Sequence, residues 1–131
     1  MRHLNRLFML VCVAIFLTPS CQAQTSDNLS KTISNAFNTQ NIEMLSGFFT
    51  DDVELTLPNR NSSENRNTVK AMLSNFITQK HISNFEVLHQ GEQGNRMFII
   101  GKLISPSASY RINVFLKNDS GNFRIYQLKI E

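Results

Sequence analysis

The chain has 131 residues, of which 41% are hydrophobic and 18% charged, with 13 basic residues against 10 acidic and only two cysteines. That length supports one domain with its own core and not two. The modest positive charge is concentrated at the N-terminus, and what remains is too balanced for a surface that grips nucleic acid.

Arg2, His3 and Arg6 form a basic head, Leu7 to Leu17 an uncharged apolar stretch, and Thr18, Pro19 and Ser20 break it. Cys21-Gln22-Ala23 then places small residues three and one before a cut at Gln24, the layout of a secretory signal peptide. About 11 apolar residues are too few to cross roughly 30 Å of hydrocarbon. The pattern predicts a signal peptide over residues 1–23, one exported domain over 24–131, and a periplasmic or extracellular location. The alternative is a lipoprotein anchored at Cys21, although Thr18 and Pro19 stand where a lipobox carries Leu and a small residue. Cleavage removes two of the basic residues, leaving 11 against 10 acidic, a net charge of +1 over 108 residues. It also removes Cys12 and Cys21, so the mature chain has no disulfide, no thiolate nucleophile and no Cys-based metal ligand. No transmembrane segment is expected in it.

Ser26 or Asp27 can cap a first helix, whose buried face is Leu29, Ile33, Ala36 and Phe37 at helical spacing. Asn38 to Asn41 ends it, and Asn41 can cap a short second helix with Ile42, Leu45, Phe48 and Phe49 on its buried side. Thr50-Asp51-Asp52 reads as a turn, since adjacent carboxylates in extended chain point to opposite sides and make a poor catalytic pair. Val53 to Leu57 alternates apolar with polar residues, a half-buried strand stopped by Pro58. Asn59 to Asn67 has no apolar residue and reads as a surface loop. Asn67 or Thr68 can cap a long helix with Val69, Met72, Leu73, Phe76 and Ile77 as its stripe. Lys80 and His81 fall at its C-terminal end, where the helix dipole favours positive charge. Strand alternation resumes over Asn84 to Gln90, with Phe85, Val87 and His89 on one face, and Gly91 to Asn95 is a turn. Three further apolar runs, Met97–Ile104, Tyr110–Lys117 and Phe123–Ile130, are separated by short Ser/Pro and Asn/Asp/Gly segments. Connections that short imply an antiparallel meander.

The residues Phe85-Glu86-Val87-Leu88-His89-Gln90-Gly91, Ile100-Gly101-Lys102-Leu103, Tyr110-Arg111-Ile112, Leu116-Lys117 and Tyr126 to Glu131 carry a resemblance. They are similar to a family of secreted Bacteroidetes proteins, domain of unknown function 4783, within the nuclear-transport-factor-2-like superfamily. The resemblance covers roughly Asn28 to Glu131. It implies a cone-shaped α+β (cystatin-like) fold with N-terminal helices packed on a curved antiparallel sheet, and it brings no catalytic residues with it. Where the family tends to show Asn-Pro before the strand at Phe85, this chain has Lys80-His81-Ile82.

In such a cone, alternation predicts a pocket lined by Phe85, Val87, His89, Tyr110 and Ile112. Its polar groups are the His89 imidazole and the Tyr110 hydroxyl, with no inward carboxylate to tune or orient them. The expected function is therefore a non-catalytic envelope module that binds a small apolar ligand or an envelope protein. The alternative is a small lyase- or isomerase-like enzyme using His89 and Tyr110. No metal and no cofactor are expected, since His81 and His89 have no third ligand arranged beside them. Met97-Phe98-Ile99-Ile100 is apolar on both faces, and Phe115 lies opposite Tyr110, Ile112 and Val114, so a homodimer through Phe98, Ile100 and Phe115 is expected.

Overall fold

The computed structural model describes residues 26–131. The leader expected over 1–23, with Cys21, lies outside the described residues. Three helices come first and between strands: α1 (Ser26–Asn38), α2 (Ile42–Ser46) and, after β1 (Phe49–Leu57) and β2 (Arg60–Asn65), α3 (Arg66–Gln79). Four strands follow, β3 (Asn84–Gln93), β4 (Arg96–Ile104), β5 (Ser109–Asp119) and β6 (Asn122–Ile130). They form one curved six-stranded sheet in the order β2-β1-β6-β5-β4-β3, an α+β arrangement with helices on one face. All neighbours are antiparallel except β1 and β6, which run parallel.

The helices form where the apolar spacing asks for them. Leu29, Ile33, Ala36 and Phe37 of α1 are all buried and face β3. Leu73, Phe76 and Ile77 of α3 are buried toward β1, and α2 bridges the other two helices. Asn41 caps α2 by accepting from the Met44 N–H, as the sequence suggests. The cap of α3 is Asn65, two residues earlier than the expected Asn67. Its side chain accepts from the Thr68 N–H, so Thr68 sits inside the helix and does not begin it. Both α1 and α3 end in the αL-terminated bonding pattern that usually employs glycine. Gln40 (φ 55°) and His81 (φ 53°) take that position instead. At the end of α3 the His81 N–H donates to the Thr78 carbonyl and the Ile82 N–H to the Ile77 carbonyl, with Ile82 and Ile77 both buried.

The sheet's inner face is continuous. Val53 and Leu55, Ile99 and Leu103, Ile112, Val114 and Leu116, and Leu128 and Ile130 are fully buried there. Each such side chain contributes roughly 1.5–3 kcal/mol on leaving water, which is how a domain without staples is held. The hairpin between β3 and β4 turns at Gly94 and Asn95, where Gly94 supplies the positive φ that the first turn position demands.

Two further sequence expectations are corrected here. Residues Arg60 to Asn65 are not loop but β2, paired with β1 from Leu57↔Arg60 to Asp52↔Asn65. They read as loop because an edge strand with both faces polar leaves no apolar periodicity. Backbone bonds to β1 hold it, together with a hydrogen bond from the Thr56 hydroxyl to Asn61 Oδ1. Thr50 to Asp52 likewise lies inside β1, in an irregular stretch where the register against β6 shifts between Phe49 and Glu54. The turn chemistry there produces a distortion and not an end.

Candidate functional site

The residues expected to share one pocket occupy four different settings. Phe85 is buried and stacks on Phe37 with ring centroids 4.8 Å apart. Ile112 is fully buried in the core. Val87 lines a groove between α1 and β3 with Asp27, Lys31 and Gln90. Tyr110 is half-buried at the far end of the sheet. His89 is exposed and lies on the opposite, outer face, its ring 5.5 Å from that of Phe98.

The reason for His89 is a bulge. Val87 pairs with Gly101, but His89 pairs with Ile100, so Leu88 is an extra residue and every later side chain of β3 changes face. Leu88 itself is 57% exposed. The expected enzyme pair of His89 and Tyr110 is thereby separated by the thickness of the sheet.

A different concavity, of about 400 Å³, opens between α3 and the β1–β2 hairpin, with Tyr110 at its base. Helical spacing puts Met72, Asn75, Phe76, Gln79 and Lys80 on the side of α3 that faces it. The hairpin supplies Leu57 to Arg60. Phe76 meets Tyr110 edge to face, with centroids 5.2 Å apart and planes at 75°. The Tyr110 hydroxyl makes no hydrogen bond among the described residues. Among the described residues no Asp, Glu or His lines this mouth; its ionisable groups are Arg60, Lys80 and Tyr110. The volume is at the small end of the range for ligand sites, and the mixture of aromatic floor and a few polar groups is what such sites show.

Sequence reasoning had Met72 and Phe76 as core and Arg60 in a loop. The mouth needs β2 to exist, because that strand brings Arg60 beside α3. The clue available in the sequence was Lys80, which continues the Met72–Phe76 face by one more step of four.

Elsewhere, Thr50, Asp51, Asp52, Arg66, Lys117 and Asp119 line a groove at the other end of the sheet, in which Arg66 lies 3.5 Å from Asp51. Among the described residues no cluster of acidic, His or Cys side chains could hold a metal ion. The carboxyl of Glu131 is held below the usual carboxylate range by a hydrogen bond from Lys129 and by that residue's charge, and it lies outside the mouth. On the outer face Phe98, Ile100 and Phe115 are half-buried, as alternation led one to expect, and Arg96 and Lys117 lie over the Tyr126 ring. None of the described helices is long and apolar enough to cross a membrane.

A family model described as "Domain of unknown function (DUF4783)" matches residues 30–131. A crystal structure of a DUF4783 family protein from Bacteroides ovatus superposes with a TM-score of 0.72 at 29% identity, covering 76% of this chain and 90% of that one. A second, from Bacteroides uniformis, gives 0.72 at 25% identity, covering 77% and 94%. An NTF2-like protein of unknown function from Cytophaga hutchinsonii gives 0.59 at 15% identity, covering 82% and 88%, a likeness of fold alone. No curated protein matches the chain.

Proposed function

Since the chain belongs to the DUF4783 family, whose function is unknown, we propose that this protein is a non-catalytic binding module of the cell envelope that holds a small, largely apolar molecule in the mouth between α3 and the β1–β2 hairpin. The observation that carries the reading is the mouth's composition. Phe76 and Tyr110 offer a preformed aromatic floor, with Leu57 and Met72 beside them. Proton-transfer catalysis needs a positioned base within reach of the substrate, and His89 is on the other face. Of the residues expected to share a pocket, Phe85, Val87, His89, Tyr110 and Ile112, the mouth keeps Tyr110 and adds residues of α3 and β2.

The envelope setting rests on the leader pattern at residues 1–23. Self-association of two copies through Phe98, Ile100 and Phe115 rests on three half-buried apolar side chains on a face that the helices leave uncovered. The test of the binding role is thermal. Saturating phenylbutanol should raise the melting temperature of the wild type, because a ligand that binds only the folded state stabilises it by mass action, and Met72→Gln should blunt the rise. An unchanged melting temperature for the wild type at saturation would refute the role.

A further inference from the structure

The mouth and two other concavities among the described residues, of about 400, 470 and 540 Å³, differ in the kind of charge they carry. The α1–β3 groove carries Asp27 beside Lys31, and the groove near Thr50 sets Asp51, Asp52 and Asp119 against Arg66, Lys117 and Arg124. The mouth has charge of one sign, from Arg60 and Lys80. Neither takes part in an ion pair among the described residues, whereas Arg66, Lys70 and Lys129 each have a carboxylate partner.

Two exposed cations on a wet surface would ordinarily be solvated and mean little. Here they stand at the rim of an apolar floor, where a bound molecule would displace water and leave their charge in a lower local dielectric. Lys80 follows the last turn of α3, whose carbonyls form the negative end of the helix dipole. That end is largely neutralised from within: the Phe76, Ile77 and Thr78 carbonyls accept from the Lys80, Ile82 and His81 N–H groups. Arg60 offers a planar fork that suits an oxyanion, and Lys80 a mobile point charge. The unpartnered Tyr110 hydroxyl can donate to the same group.

We infer that the mouth is selective for amphiphilic anions: an apolar body packs on Phe76 and Tyr110, and an oxyanion head is held by Arg60 and Lys80. This rests on the reading of the mouth as a binding site and adds the chemistry of the ligand's head. Three probes of one shape separate the two ideas, namely phenylbutyrate, phenylbutanol and phenylbutylammonium, titrated calorimetrically into the purified protein. Phenylbutyrate should bind about tenfold more tightly than the alcohol, the scale of one charge-assisted hydrogen bond, and the ammonium more weakly than either. Raising the salt from about 0.01 M to about 1 M should erode the advantage of the acid. The double variant Arg60→Gln, Lys80→Gln should bring the acid-to-alcohol ratio to about one, with its circular dichroism melt confirming that it is folded. Equal affinity for acid and alcohol in the wild type would remove the anion selectivity while leaving the mouth a binding site. Failure of all three probes to bind would remove both.

Discussion

The side-chain amide of Asn38 makes both hydrogen bonds of a neighbouring strand with the backbone of Phe85. The Phe85 N–H donates to Asn38 Oδ1 at 2.7 Å, and Asn38 Nδ2 donates to the Phe85 carbonyl at 3.3 Å. β3 is an edge strand, and such edges expose unpaired backbone groups that invite pairing with other chains. The last residue of α1 satisfies one of those pairs and fixes the helix against the sheet, while the Phe37 and Phe85 rings stack beside it. Asn38→Leu should therefore cost about 1–3 kcal/mol, the range for leaving partly buried backbone groups unpaired. Urea denaturation checks this, and a loss below the error of the fit would contradict it.

Glycine 101 lies under the ring of Phe85 on the same inner face. A Cβ there would stand 2.7 Å from Phe85 Cζ and 2.9 Å from the Glu86 carbonyl oxygen. The ring can yield, but the backbone oxygen cannot without moving β3. Gly101→Ala should destabilise the fold by about 1–3 kcal/mol, as overpacking commonly does. Gly94→Ala meets no atom within 4 Å but holds φ at +60°, so its smaller loss would come from backbone strain alone. A melt in which Gly101→Ala matches the wild type would contradict the close approach.

His81 occupies a left-handed position after α3 with an exposed side chain. Only its conformation is required there, so His81→Gly should raise stability by about 1 kcal/mol, the approximate penalty for an L side chain in that region. Helix-dipole placement of its charge, the reading from sequence, predicts a loss for the same change. Thermal melts of the two proteins in one buffer separate the readings: a gain follows from the backbone conformation, a loss from the dipole.

Much of this architecture was legible. The α1 stripe and the alternation of β4, β5 and β6 have strong periods bounded by turn residues, and their positions agree with the sequence to within a residue or two. β2 was not legible, because Arg60-Asn61-Ser62-Ser63-Glu64-Asn65 contributes nothing to the core and leaves no period to read. The face of His89 was lost for another reason: the bulge at Leu88 is set by the register of β4, information that no local window contains. Asn38 and Phe85 are 47 residues apart, and nothing in either neighbourhood announces the pair.

Phe115 lies on the outer face, 6.4 Å from the Tyr126 ring and opposite Phe98 across the β4–β5 ladder. If two copies cover this face, Phe115→Glu places a charge at the centre of the contact and should give monomers. Sedimentation velocity at high micromolar concentration checks it. A wild-type protein that sediments as a monomer there would contradict the pairing.

The mouth as a binding site is tested most directly by an amide NMR titration of isotope-labelled protein with phenylbutyrate. Saturable shifts should concentrate at residues 57–60, along the face of α3 from Met72 to Lys80, and at Tyr110. Shifts centred on His89 and Phe98, or a uniform drift that never saturates, would show that the molecule binds elsewhere or not at all.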